Sequence, residues 1–162
     1  MYKKIMVPLD GSELAECALP HLEAIAKGSQ TAEVIIVQAV EPLSIPYGLE
    51  VSKFVSLEQV KEFQTHQKVA AEKYLKGIVA RLAGAGINAR AEIIYGRASE
   101  ALVEFASKNG FDLVIMATHG HSGISRRVWG SVADHLLRSI YLPVLVVRDV
   151  SNWQKPEAPP LP

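Results

Sequence analysis

Four nearly continuous apolar runs punctuate the chain, at residues 3–9, 32–40, 113–117 and 142–147, and a further strand is read at 88–95. Runs of this kind, without alternation, are what strands buried on both faces require. Between them the period changes. Leu14, Ala18, Leu22 and Ile25 fall on one face of a helix predicted over residues 12–27. Pro20 lies inside it, removes one hydrogen bond and predicts a kink. A long helix is predicted over 57–83 and a shorter one over 99–109, where Ser99 and Glu100 suit the first turn. After Ser131, the residues Val132, Ala133, Leu136, Leu137 and Ile140 mark a last amphipathic helix. Gly28-Ser29 and Gly84-Ala-Gly86 read as helix stops. Strands alternating with helices predict parallel βαβ units, and five of them with short crossovers predict one doubly wound α/β sheet. Two segments break the pattern. Residues 41–57 carry Pro42, Pro46 and Gly48 and no period, which reads as a long loop of the functional or mobile kind. Residues 151–162 carry four prolines and no period, and read as a tail outside a domain spanning 1–150.

Composition adds mainly exclusions. A chain of 162 residues is most simply one domain, long enough to bury roughly 70% of its unfolded surface. Formal net charge is zero, so neither a nucleic-acid surface nor an anionic-membrane surface is suggested. No apolar run approaches the ~20 residues of a membrane span. The start, Met-Tyr-Lys-Lys, lacks a signal-peptide layout, and the single Cys17 excludes an internal disulfide. Together these place the protein in the cytoplasm as an expectation. There is no Gly-x4-Gly-Lys-Ser/Thr loop. Gly84-Ala-Gly86-Ile-Asn-Ala89 imitates a dinucleotide fingerprint but runs from helix to strand, the reverse of the required order. His21, His66 and His135 fall in helical segments without metal-ligand spacing, so no metal site of protein ligands alone is expected.

The candidate chemistry sits where the fourth strand gives way to the last helix. Thr118-His119-Gly120 is followed by a basic stretch with Arg126 and Arg127, then Trp129 and Gly130-Ser131. Strand ends in open parallel sheets are ligand sites, and a helix start offers free N–H groups and partial positive charge to a phosphate. Ser131 also has a purely structural reading as the cap of the last helix, with Asp134 in capping-box position. Asp10, ending the first strand, suits an Asx turn, in competition with Ser12 for the next helix cap. Its carboxylate equally suits a ribose hydroxyl or a metal beside phosphates. His119 and His121 read as surface residues, and Trp129 as a packing anchor.

The spacing Ala117-x2-Gly120-x9-Gly130-Ser131 resembles the Gly-x2-Gly-x9-Gly-Ser/Thr nucleotide loop of the universal stress protein family, nucleotide-binding type. The opening Ile5-Met-Val-Pro-Leu-Asp-Gly-Ser12 and the closing Leu142-Pro-Val-Leu-Val-Val147 resemble it too, so the likeness covers roughly residues 2–148. One position departs: Ala117 stands where the pattern has a glycine, and alanine meets a steric cost at positive φ. The resemblance implies a five-stranded parallel sheet of order 3-2-1-4-5 with helices on both faces, similar to the adenine nucleotide alpha hydrolase fold. It implies that ATP or AMP, with or without magnesium, binds at the C-terminal ends of strands 1 and 4. The residues it points to are Pro8, Leu9, Asp10, Val40, Met116, Ala117, His119, Gly120, Arg126, Arg127, Gly130, Ser131 and Val132, with Val40 packing on the adenine. It implies a sensor or regulator in the stress response and not an enzyme, since no assembled phosphoryl-transfer machine is visible. It also implies a homodimer through the edge of the fifth strand, Leu142 to Val147. Two alternatives stay open: a slow ATP hydrolase of a related fold, and a nucleotide-free dimeric interaction module.

Overall fold

Successive residues of each central strand point into two different helical layers, and that alternation builds the molecule. The structure is a computed structural model that describes residues 1–42, 57–118 and 130–149. Its elements are β1 (Lys4–Pro8), α1 (Glu13–Glu16), α2 (Ala18–Ser29), β2 (Glu33–Val40), α3 (Leu57–Gly84), β3 (Ala89–Tyr95), α4 (Ala98–Lys108), β4 (Leu113–Thr118), α5 (Ser131–Ser139) and β5 (Val144–Arg148). Ile5 and Val7 of β1, Val34 and Ile36 of β2, and Leu113 and Ile115 of β4 pack against α2 and α3. Met6, Ile35, Val37, Val114 and Met116 face α4 and α5. These three strands are buried on both faces, which is why their sequences run apolar without alternation.

All pairings are parallel and the order is β3-β2-β1-β4-β5, the expected doubly wound sheet. The chain moves outward from β1 through β2 to β3, then returns to place β4 on the other side of β1. The switch point therefore lies between β1 and β4, where ligands settle in sheets of this kind.

The first helix differs from expectation. Residues 12–27 do not form one helix: α1 ends at Glu16 and α2 begins at Ala18. The Cys17 N–H bonds the Leu14 carbonyl in a tight turn, and Pro20 becomes the third residue of α2. In a first turn the missing N–H of proline costs nothing, so Pro20 breaks the helix instead of kinking it. The helix then runs past Gly28 to Ser29, ending on Gln30 with φ of 51°. The last strand begins at Val144, not Leu142, and includes Arg148. In α3 the residues Ala71, Leu75, Ile78 and Leu82 are buried at helical spacing, so its second half carries the packing. The loop expected over 41–57 and the tail over 151–162 fall almost wholly outside the described residues.

The N-terminal end of the sheet is closed by polar contacts. Asp112 Oδ2 accepts from the Lys3 and Lys4 N–H groups, each at 2.8 Å, while its own N–H donates to the Lys4 carbonyl at 2.8 Å. Those N–H donors, Lys4 first, hold the Asp112 carboxyl below the usual carboxylate range. Asn88 Nδ2 donates to the Ala32 carbonyl at 2.7 Å and Thr31 Oγ1 to the Tyr2 carbonyl at 2.9 Å.

Candidate functional site

A crevice of about 240 Å³ opens at the other end of the sheet, over the switch point. Its floor is the C-terminal ends of β1, β2 and β4, including Pro8, Leu9, Val37, Met116 and Ala117. The starts of α1, α4 and α5 wall it in through Leu14 and Ala15, Ala98 and Leu102, and Gly130 to Ala133. Three helix N-termini thus converge on one space, each bringing unpaired N–H groups and partial positive charge.

The three are not treated alike. At α1, Ser12 Oγ accepts from the Ala15 N–H at 3.1 Å, an N-cap made by the chain itself. At α4, no side-chain cap comes from Arg97, but the Glu41 carboxylate accepts from the Ala98 N–H at 3.1 Å. At α5 the cap position is Gly130, which has no side chain to offer. The Gly130 N–H donates to Thr118 Oγ1 at 3.3 Å, and the Gly130 carbonyl takes the first intrahelical bond, from Asp134. The N–H groups of Ser131, Val132 and Ala133 have no acceptor among the described residues and border the crevice.

This corrects the expected capping box. Ser131 is the first residue of α5 and not its cap, and Asp134 pairs with Arg138 at 3.0 Å. The Ser131 hydroxyl, exposed at the rim, has no partner among the described residues. Gly130 sits at φ −61°, a value any residue adopts, and a Cβ added there would meet nothing within 4 Å among the described residues. Nothing in the described residues requires glycine at this position.

Asp10 stands opposite. Its Oδ1 accepts from the Ser12 N–H at 2.9 Å and from Ser12 Oγ at 2.6 Å, the expected Asx turn. Its Oδ2 has no partner among the described residues. Gly11 follows at φ +87°, the left-handed value that lets the chain turn straight off β1 into α1. Behind this turn Tyr74 of α3 donates to Glu16 at 3.2 Å, and Arg81 spans Glu16 and Glu23. These contacts hold α1 against the layer beneath it.

Ala117 carries no backbone strain. It lies inside β4, paired with Val147, and Gln30 is the single non-glycine residue at positive φ among the described residues. The penalty expected for alanine in place of the first glycine is therefore absent, because this position is strand and not turn. Val40 is placed differently from expectation. It lines a second cavity on the α3 side, while its neighbour Ala39 lines the crevice. One step along a strand exchanges faces, so neighbouring residues at its end look into different spaces. Pro8, Leu9, Asp10, Met116, Ala117, Gly130, Ser131 and Val132 all come together at the crevice. His119, Gly120, Arg126 and Arg127, with His121 and Trp129, lie outside the described residues.

Three residues escaped the sequence reading. Ala39 was signalled by alternation with Val37 along β2. Thr118 is buried at the end of β4, where its hydroxyl anchors the Gly130 N–H. A hydroxyl ending an otherwise apolar strand was the visible sign. Glu41 had no local signal, since its partner is 57 residues away. Among the described residues there is no group of three or more His, Cys, Asp or Glu side chains able to hold a metal. No helix among them is long and apolar enough to cross a membrane.

Comparison with known proteins agrees with this architecture. Residues 1–148 match the universal stress protein family. Universal stress protein MJ0531 of Methanocaldococcus jannaschii is 33% identical over 91% of this chain and 83% of its own. MJ0577 of the same organism is 31% identical over 91% of this chain and 96% of its own. The solved structure of MJ0577 superposes with a TM-score of 0.73, covering 91% and 96% of the two chains. A universal stress protein solved in complex with cAMP superposes at 0.65 with 24% identity, over 91% of this chain and 97% of that one, a likeness of fold. The chain belongs to the universal stress protein family.

Proposed function

We propose that this protein binds an adenine nucleotide, ATP in the first instance, in the crevice over β1 and β4, and that it serves as a nucleotide-dependent regulator in the stress response. The observation that carries the reading is the uncapped start of α5. Two of the three helix N-termini at the crevice are answered by the chain's own Ser12 and Glu41, and the third has no acceptor among the described residues. A phosphate meets that need with several oxygens and with charge opposite to the helix end. The space a side chain at Gly130 would fill is then the space the phosphate needs. Asp10 Oδ2 is the acceptor for a ribose hydroxyl, and Ala39 takes the role first given to Val40, beside the base. The cAMP complex of a protein with this fold is in keeping with such a ligand.

Binding, and not turnover, fits the described lining. Asp10 is its single titratable side chain, and phosphoryl transfer calls for a metal clamp, a positioned nucleophile and a charge-stabilising cation. The subunit pairs with a second copy through the outer edge of β5, which ends the sheet, next to the exposed Leu137 and Tyr141. A monomeric mass at micromolar concentration overturns this part.

The test is direct. The purified protein is denatured and any released nucleotide identified by mass, and emptied protein is titrated with ATP and magnesium. Stoichiometric nucleotide, or saturable binding lost in Gly130→Val with an unchanged circular dichroism spectrum, supports the reading. Absence of binding at millimolar ATP, or unchanged affinity in Gly130→Val, overturns it.

A further inference from the structure

Thr118 is the single buried polar residue among the described residues, 3% exposed at the end of a strand whose other members are all apolar. A buried hydroxyl is costly unless it is hydrogen-bonded, and valine has nearly the same shape without that cost. The strand itself therefore gains nothing from threonine here. The hydroxyl acts outside the strand: Oγ1 accepts from the Gly130 N–H at 3.3 Å, across 12 residues of chain. Gly130 has particular need of such a contact. Standing just before α5 without a side chain, it neither caps the helix nor restricts its own backbone. Yet its conformation, φ −61° and ψ 155°, decides where the Ser131, Val132 and Ala133 N–H groups point.

The anchor is itself held. Thr118 pairs with Arg148 in the sheet, and its carbonyl accepts from the Asp149 N–H at 3.3 Å. A β-branched side chain is stiff at χ1, so the hydroxyl has a fixed place once the strand has formed. We propose that Thr118 is a positioning residue for the nucleotide: it holds Gly130 in the capping conformation before any ligand arrives, and so aims the three N–H groups at the phosphate. The proposal rests on the nucleotide reading of the crevice and adds the residue that preorganises it. Ordering already complete in the free protein is not lost from affinity on binding.

The experiment compares Thr118→Val and Thr118→Ser with wild type in the full chain. Valine removes the acceptor and keeps the shape, and the exposed Gly130 then turns its N–H to water. The urea midpoint of Thr118→Val is expected at or above that of wild type, while ATP affinity by calorimetry falls roughly fivefold to tenfold, the worth of one ordered hydrogen bond. Thr118→Ser restores most of that affinity, which a packing role would not allow, because serine lacks the methyl group. In nucleotide-free protein the Gly130 amide exchanges with solvent faster in Thr118→Val than in wild type, and is slowed again in Thr118→Ser. Wild-type ATP affinity in Thr118→Val, or a loss that serine does not restore, overturns the inference and leaves the nucleotide reading in place. A Thr118→Val chain that does not fold overturns it too, since the threonine would then serve the fold. Wild-type protein that binds no ATP overturns the nucleotide reading and the inference together.

Discussion

The two ends of the sheet are built on opposite principles. At the N-terminal end the polar groups answer one another: one carboxylate, Asp112, takes two backbone N–H groups and ties β4 to the segment leading into β1. At the C-terminal end three helices present N–H groups to a common space, and the described residues answer only two of them. Both ends are made of similar strand termini, so strand geometry does not create the difference. It comes from which side chains reach back. A satisfied end contributes stability, whereas an end left open keeps its hydrogen-bonding capacity for a ligand.

The largest effect comes from closing the open end. Gly130→Asp supplies α5 with its own cap and places a negative charge where a phosphate belongs. ATP affinity, read by calorimetry, falls by roughly a hundredfold or more, corresponding to two or more charge-assisted hydrogen bonds, while the unfolding free energy rises by a few tenths of a kcal/mol. A destabilised variant that still binds would erase the distinction between the ends. Next in size is Asp10→Ala. It removes the Oδ2 acceptor and the Asx turn together, and ATP binding weakens roughly tenfold by the same assay. Asp10→Asn keeps an acceptor, so it recovers part of that loss.

At the closed end, Asp112→Asn costs about 1 kcal/mol of stability in urea unfolding with no change in ATP affinity. Its pH dependence has a definite sign. The folded carboxyl titrates below its unfolded value of about 3.9, so its contribution is fully present above that pH. The difference between wild type and Asp112→Asn therefore stays level from neutral pH to about pH 5 and shrinks as pH falls toward the folded pKa. A difference that grows on acidification would contradict the assignment. The smallest effect is expected for Glu41→Gln, which removes formal charge at the exposed start of α4 and costs a few tenths of a kcal/mol.

Much of this was legible along the chain, and the failures share a cause. The buried strands announced themselves as apolar runs, and the Gly130-Ser131 junction as a change of period. The Asx turn at Asp10 was legible in an aspartate that closes an apolar run. The cap of α5 was misjudged because Ser131 is a good cap by type, while the backbone starts the helix one residue earlier, with Thr118 fixing Gly130 from 12 residues away. Val40 was named without Ala39, which lines the crevice, because boundaries and register are weakly encoded at a strand end, where the alternation stops.

The sequence by itself determined the alternation of strands and helices, the parallel doubly wound sheet it implies and the place where strand ends meet helix starts. These follow from local periodicity and from the length each element needs to bury its apolar face. The tertiary structure alone decided which helix N-terminus finds no acceptor among the described residues and which of two neighbouring residues lines the crevice. Those outcomes depend on contacts between residues far apart in the chain, such as Glu41 with Ala98, and no local pattern carries the information for a hydrogen bond whose partner is set by packing.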